Sequence, residues 1–222
     1  MSSTAWLLLV LAGVAALVDW GAVARGNRPL QYVCKPATLA LLIAVALALD
    51  PFDASRRSWF VVALGFSLLG DVFLMLRPDR LFVAGLGSFL LAHLAYIVGF
   101  HYSGPATWLW LSVSAALAVL TALVARRILR SLRRSGRRRL VVPVIAYMVV
   151  ITLMVGKAVA SGSLLAAAGG LLFYLSDSLI GWTRFVRARL PGGLAEPTPR
   201  WGPLAIIVTY HLGQAALVVS LA

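Results

Sequence analysis

Two aspartates interrupt long apolar runs: Asp71 in Leu68-Leu69-Gly70-Asp71-Val72-Phe73-Leu74, and Asp177 in Tyr174-Leu175-Ser176-Asp177-Ser178-Leu179-Ile180. A carboxylate inside a membrane span costs roughly 2.5–3.5 kcal/mol on insertion scales, which makes each a functional-site candidate. Two carboxyls close together in a low-dielectric cavity cannot both ionise easily. One is then left as a proton donor near neutral pH and the other as a charge, the division of labour that acid–base chemistry needs. The plainer alternative is that Asp71 or Asp177 pairs with Lys35 or Arg184 only to fix helix register.

Helical periodicity collects further polar groups beside the two acids. Tyr174, Asp177, Ser178, Gly181 and Arg184 share one stripe, as do Ser67, Gly70 and Asp71. Phe89, His93 and Tyr96 form a third face, and Tyr210, His211 and Gln214 a fourth. Asp71 precedes Arg77 by six residues and Asp177 precedes Arg184 by seven, so a rise of 1.5 Å per residue puts both about 9–10 Å below the same membrane face. Lys35 and Asp19 belong to that layer. Stripes of this kind are expected to line an inward cavity, because lipid would leave their polar groups unsatisfied. The bland readings are a packed, hydrogen-bonded His93, tyrosines anchored at the interface, and a Lys157 that snorkels to the surface.

The elements that must position these residues are membrane helices. The 222 residues are 61% hydrophobic and 12% charged, with a mean hydropathy of +0.94, far above a soluble domain. Apolar runs give eight helices in one transmembrane domain over residues 1–222, at about 5–22, 33–49, 59–76, 81–100, 106–125, 140–160, 163–185 and 201–221. Ser161-Gly162-Ser163 is the only break between the sixth and seventh. The first run lacks a basic leader and a small-residue cleavage site, so it reads as a helix rather than a signal peptide. Cys34 is the only cysteine, which excludes an intramolecular disulfide.

Sixteen of the twenty Lys and Arg residues fall after odd-numbered helices, eight of them in a loop from Arg126 to Arg139. The positive-inside rule then places those loops in the cytoplasm and both termini outside. The net charge of +13 is explained by this bias and by attraction to anionic lipid, so no nucleic-acid partner is expected. The two halves also resemble each other weakly. Pro36 opens helix 2 and Pro143 opens helix 6; Asp71 follows the first by 35 residues and Asp177 the second by 34; His-Leu recurs at 93–94 and 211–212. Two parallel four-helix repeats about an axis along the membrane normal would bring the acids to matching depths beside a central cavity.

The motifs Lys35-Pro36, Phe66-Ser67-Leu68-Leu69-Gly70-Asp71, Ala92-His93-Leu94, Ser176-Asp177-Ser178 with Arg184-Phe185, and Tyr210 through Gln214 together resemble the YhhN-like family, the lysoplasmalogenases. The chain carries Trp182-Thr183 where the family commonly has Leu-Asn, and Tyr210-His211 where it often has Tyr-Tyr. The resemblance implies eight helices and cleavage of a lysoplasmalogen's vinyl-ether bond to a fatty aldehyde and a glycerophospho-alcohol. Asp71 and Asp177 would supply proton and charge, as in glycoside hydrolysis, without a cofactor or metal. Substrate would be held by Lys35, Arg184, His93, Tyr96, Tyr174, Ser178, Tyr210 and Gln214, with Lys35 and Arg184 on the phosphate as point charge and planar fork. The lipid bilayer and a lysophospholipid are the implied partners.

Three other readings fit some of the residues. A proton-coupled carrier also places acids in its spans, though nearer the midplane. A zinc amidase needs three ligands. His101 and His93 are about 12 Å apart along one helix, which leaves only His93, His211 and an aspartate. A packing protein would use its buried charges for helix register alone.

Overall fold

The computed structural model describes residues 1–50, 53–76, 79–101, 107–187 and 201–222. Among these residues, eight helices long and apolar enough to cross a membrane follow one another: α1 (Ser3–Arg25), α2 (Arg28–Ala48), α3 (Ala54–Met75), α4 (Asp79–His101), α5 (Thr107–Arg134), α6 (Val141–Ala160), α7 (Leu164–Gly181) and α8 (Trp201–Val219). A single 3-10 turn, Arg138–Leu140, precedes α6, and a π-helical turn, Trp182–Arg187, extends α7. The chain is a polytopic all-α protein whose helices show lipid-sized apolar side chains outward. Leu7, Leu17, Val119 and Val142 are all exposed, as a bilayer solvent requires.

Local chemistry fixes the short connections. Gly26 takes the left-handed conformation after α1 (φ 68°), and Asn27 caps α2 by accepting from the Leu30 amide at 3.2 Å. Asp53 caps α3, accepting from the Ser55 and Arg56 amides. The break at 161–163 is real: Gly162 has φ 77° and the Ser163 hydroxyl accepts from the Ala166 amide.

Several boundaries differ from the sequence expectation. α2 begins at Arg28, because Asn27 and Pro29 make a good helix start. Lys35 therefore lies two turns into the helix and Pro36 is inside it rather than opening it. α5 continues to Arg134, so five of the eight arginines expected in a loop are helical and only Arg137, Arg138 and Arg139 follow it. Arginine is a good helix former, and charge alone does not end a helix.

Sequence-adjacent helices other than α4 and α5 pack against each other, and α4 also packs on α6, α1 on α8 and α2 on α8. Most pairings have a counterpart when each helix is exchanged for the one four places away: α1–α2 with α5–α6, α3–α4 with α7–α8, α2–α3 with α6–α7, and α8–α2 with α4–α6. Small residues permit the closest approaches. A Cβ on Gly169 would stand 2.9 Å from the Gly213 carbonyl oxygen, and one on Gly213 3.0 Å from that of Gly169. A Cβ on Gly70 would meet the Phe89 ring at 2.6 Å. These contacts draw α7 against α8 and α3 against α4, carrying Asp177 and Asp71 inward.

Candidate functional site

Asp71 is buried, and its Oδ1 stands 2.8 Å from the Lys35 ammonium, which keeps some exposure. The Tyr210 hydroxyl donates to Oδ2 at 2.8 Å. The ammonium also sits 5.4 Å from the Tyr210 ring centre, a cation–π contact. Lys35 borders a groove whose lining includes Arg28, Tyr32, Leu74, Phe82 and Arg184. The Arg184 guanidinium, on the π-helical turn, lies 3.9 Å from the Phe82 ring centre. Three cations around one groove at the arginine-rich end suit a phosphate.

Asp177 has a different setting. The Tyr147 hydroxyl donates to its Oδ2, and His93 Nε2 is 3.8 Å from that same oxygen, too far for a hydrogen bond. His93 Nδ1 is 2.5 Å from the Phe89 carbonyl oxygen. A carbonyl can only accept, so Nδ1 carries a proton, and Nε2 is the ring nitrogen that faces Asp177. The ring is packed edge-on against Phe173 and Tyr147, at 4.7 and 5.3 Å between centres. Asp177, Tyr147, Tyr174, Ser178 and Thr121 supply polar groups to a narrow cavity that is otherwise lined by such residues as Leu86, Phe89, Ile128, Met148 and Phe185. That cavity and the cationic groove share Leu74 and Phe82. Asp177, Asp71 and Lys35 are within electrostatic reach of one another.

The helix 7 stripe thus faces a cavity as its spacing implies: Tyr174, Asp177, Ser178 and Gly181 line it, and Arg184 lines the groove beyond. Ser67, Gly70 and Asp71 are buried together. Tyr96, Tyr210 and Gln214, also expected at the site, line neither the cavity nor the groove. Tyr96 donates to Gln214 Oε1 at 2.6 Å, both fully buried, forming a polar tie between α4 and α8. Tyr210 reaches Asp71 rather than the cavity. His211 Nδ1 accepts from the Trp20 indole at 3.1 Å, and no group of three or more His, Cys, Asp or Glu side chains that could hold a metal comes together among the described residues. His93, His211 and an aspartate therefore do not form the ligand set a zinc enzyme would need.

Lys157 corrects one expectation. It is buried, its ammonium 4.7 Å from the Trp110 ring centre, because α5 covers it and an aromatic face is available. Sequence reasoning also missed Tyr147, the donor to Asp177. The depth argument applied to the acids would have found it. Tyr147 lies seven residues after Leu140, about 10 Å along helix 6, level with Asp177. Phe82, which bridges cavity and groove, carries no comparable signal.

With the geometry in place, the similarities to known proteins can be set beside it. The YhhN family profile matches residues 30–221. The lysoplasmalogenase of Mycobacterium tuberculosis is 33% identical over 199 residues, covering 86% of this chain and 72% of the relative. Human lysoplasmalogenase TMEM86B is 30% identical over 158 residues, 71% of this chain and 61% of the relative. The uncharacterized membrane protein YhhN of Escherichia coli O157:H7 is 39% identical over 101 residues, 45% of this chain and 47% of the relative. No solved structure matches.

Proposed function

The chain belongs to the YhhN family, and from that membership and the geometry of the two carboxylates we propose that it hydrolyses the vinyl-ether bond of lysoplasmalogens within the membrane. The observation that carries the reading is the continuity, through Leu74 and Phe82, between an apolar cavity holding Asp177 and a groove holding Arg28, Lys35 and Arg184. A single-chain phospholipid has both parts: the alkenyl chain suits the cavity and the phosphate suits the groove. The vinyl ether, where the two meet, would lie between the carboxyls.

Asp177 is the proposed proton donor. With the His93 ring neutral, a carboxylic acid beside Nε2 is favourable where a carboxylate is not, and the cavity wall around it is apolar. Its proton goes to the alkenyl carbon remote from oxygen, forming a C–H bond and leaving an oxocarbenium ion. Water adds to the carbon bearing oxygen and returns a proton to the carboxylate, and the resulting hemiacetal breaks its C–O bond to the glycerol. The products are a fatty aldehyde and a glycerophospho-alcohol, with one water consumed. Asp71 is the proposed second charge, stabilising the cation while Lys35 holds the phosphate.

Purified protein given lysoplasmalogen in detergent should release aldehyde; a folded protein that releases none would sink the reading. The proposed orientation puts the arginine-rich helix ends in the cytoplasm and both termini outside. A cysteine introduced at Ser135 should resist an impermeant thiol reagent in intact cells, and one added after Ala222 should react. The reverse pattern would overturn the orientation.

A further inference from the structure

Three hydroxyls from three helices form a single chain at the cavity that holds Asp177. The Tyr174 oxygen on α7 is 2.7 Å from Thr121 Oγ1 on α5, Thr121 Oγ1 is 3.0 Å from Thr152 Oγ1 on α6, and the Thr152 hydroxyl is 2.7 Å from the Met148 carbonyl oxygen. The last of these bonds fixes the direction of the others. A carbonyl only accepts, so the Thr152 proton goes to Met148, the Thr121 proton to Thr152 and the Tyr174 proton to Thr121. Tyr174 is left with its oxygen as an acceptor only. Tyr147 has likewise committed its proton, to Asp177. Tyr174, Thr121 and Asp177 line the same cavity, and Tyr174 lies three residues before Asp177 on one face of α7.

We propose that the Tyr174 oxygen holds the water that adds to the oxocarbenium carbon, and that Thr121, anchored by Thr152, is a positioning residue that keeps this oxygen an acceptor. The proposal rests on the vinyl-ether reading above. Once Asp177 has given its proton to the alkenyl carbon it is a carboxylate, and the cavity presents two acceptors from one helix face. Water has two O–H donors and suits both: one bonds Tyr174, and the other bonds Asp177, which takes that proton as the new C–O bond forms. An alcohol has one O–H and satisfies only one of the two. The distinction matters for this substrate, because a lysophospholipid carries a free glycerol hydroxyl next to the ether. That hydroxyl can add to the same cation and close a cyclic acetal, which releases no aldehyde. A pair of acceptors therefore favours hydrolysis over ring closure.

The test is the product ratio from a lysoplasmalogen in detergent with methanol added. Capture by water gives the aldehyde. Capture by methanol or by the glycerol hydroxyl forms a C–O bond to the same carbon, passes the alcohol's proton to Asp177 and leaves an acetal that keeps the glycerophosphate. Tyr174→Phe should raise the ratio of acetal to aldehyde about threefold or more, the value of one hydrogen bond. Thr121→Val keeps the shape of the side chain but frees the Tyr174 proton to turn into the cavity, so it should raise the ratio too. Thr121→Ser keeps the hydroxyl and should match the unsubstituted protein. A tie between helices would show as lost stability in these variants with the ratio unmoved. A ratio in folded Tyr174→Phe no higher than in the unsubstituted protein would overturn the water site. A rise in Tyr174→Phe with none in Thr121→Val, or an equal rise in Thr121→Ser and Thr121→Val, would overturn the positioning role, and the two Thr121 variants carry the test if Tyr174→Phe does not fold. Neither aldehyde nor acetal from the unsubstituted protein would overturn the vinyl-ether reading and this role with it.

Discussion

Asp71 and Asp177 occupy similar sequence contexts and opposite environments. Asp71 is closed in between a lysine ammonium and a tyrosine hydroxyl, with α2 and α8 supplying one partner each. Asp177 has a tyrosine hydroxyl and the Nε2 edge of a histidine, supplied by α6 and α4, and it opens on an apolar cavity. The helices that flank one acid are the counterparts of those that flank the other. What differs is the presence of a cation: Lys35 on α2 faces Asp71, whereas α6 presents Tyr147 to Asp177. One helical arrangement thus yields a paired charge on one side and a candidate acid on the other.

Asp177→Asn should break that division most severely. Loss of a positioned general acid typically costs about 10²–10⁴-fold, and the loss should fall on kcat, because the phosphate grip is untouched. Adding Asp71→Asn should make the protein little worse, since groups that act in one chemical step are strongly non-additive. Steady-state aldehyde release by the two single variants and the double variant measures this. Activity near that of the unsubstituted protein in folded Asp177→Asn would remove Asp177 from the chemistry.

Asp71→Asn alone should cost about 10²-fold in kcat, at the lower end of the range for such groups. It should also lower KM, because Lys35 is released toward the groove. Lys35→Met should do the reverse, raising KM about tenfold or more with a smaller change in kcat, the signature of lost ground-state binding. The opposite movement of KM in the two variants is the sharpest expression of the ion pair. If Lys35→Met left KM unchanged and abolished kcat, the ammonium would belong to the chemistry.

The sequence carried the helix count and the stripe on α7, because both follow from apolar periodicity. It also carried the turn at 161–163, through its serines and glycine. It could not separate the two aspartates. Both sit in apolar runs, and only packing decides that Lys35 turns to Asp71 while His93 and Tyr147 turn to Asp177. The recurring His-Leu misled in the same way: His93 faces an acid, whereas His211 is held by Trp20 on α1, a helix whose indole no spacing rule connects to α8. Pro36 reads as a helix start by itself and lies inside α2 because Asn27 and Pro29 supply an earlier one.

The smallest expected effects come from the two tyrosines, and they test the same asymmetry. Tyr147 and Tyr210 each donate a hydroxyl to one carboxyl oxygen, so counting hydrogen bonds predicts equal losses from Phe substitution. The surroundings predict otherwise. Asp71 keeps its contact with Lys35 when the Tyr210 hydroxyl is removed, and Tyr210→Phe should cost about two- to threefold, a weak net hydrogen bond. Among the described residues no Lys or Arg is in contact with Asp177, and Tyr147 is the one hydroxyl bonded to it. Tyr147→Phe should therefore cost about tenfold in kcat, the value of a hydrogen bond to a charged or charge-developing group, with KM for the lipid unchanged because the ring still packs against His93. Equal losses in the two variants, measured side by side on folded protein, would show that Lys35 does not compensate for Tyr210 and would remove the basis for assigning the acids different roles.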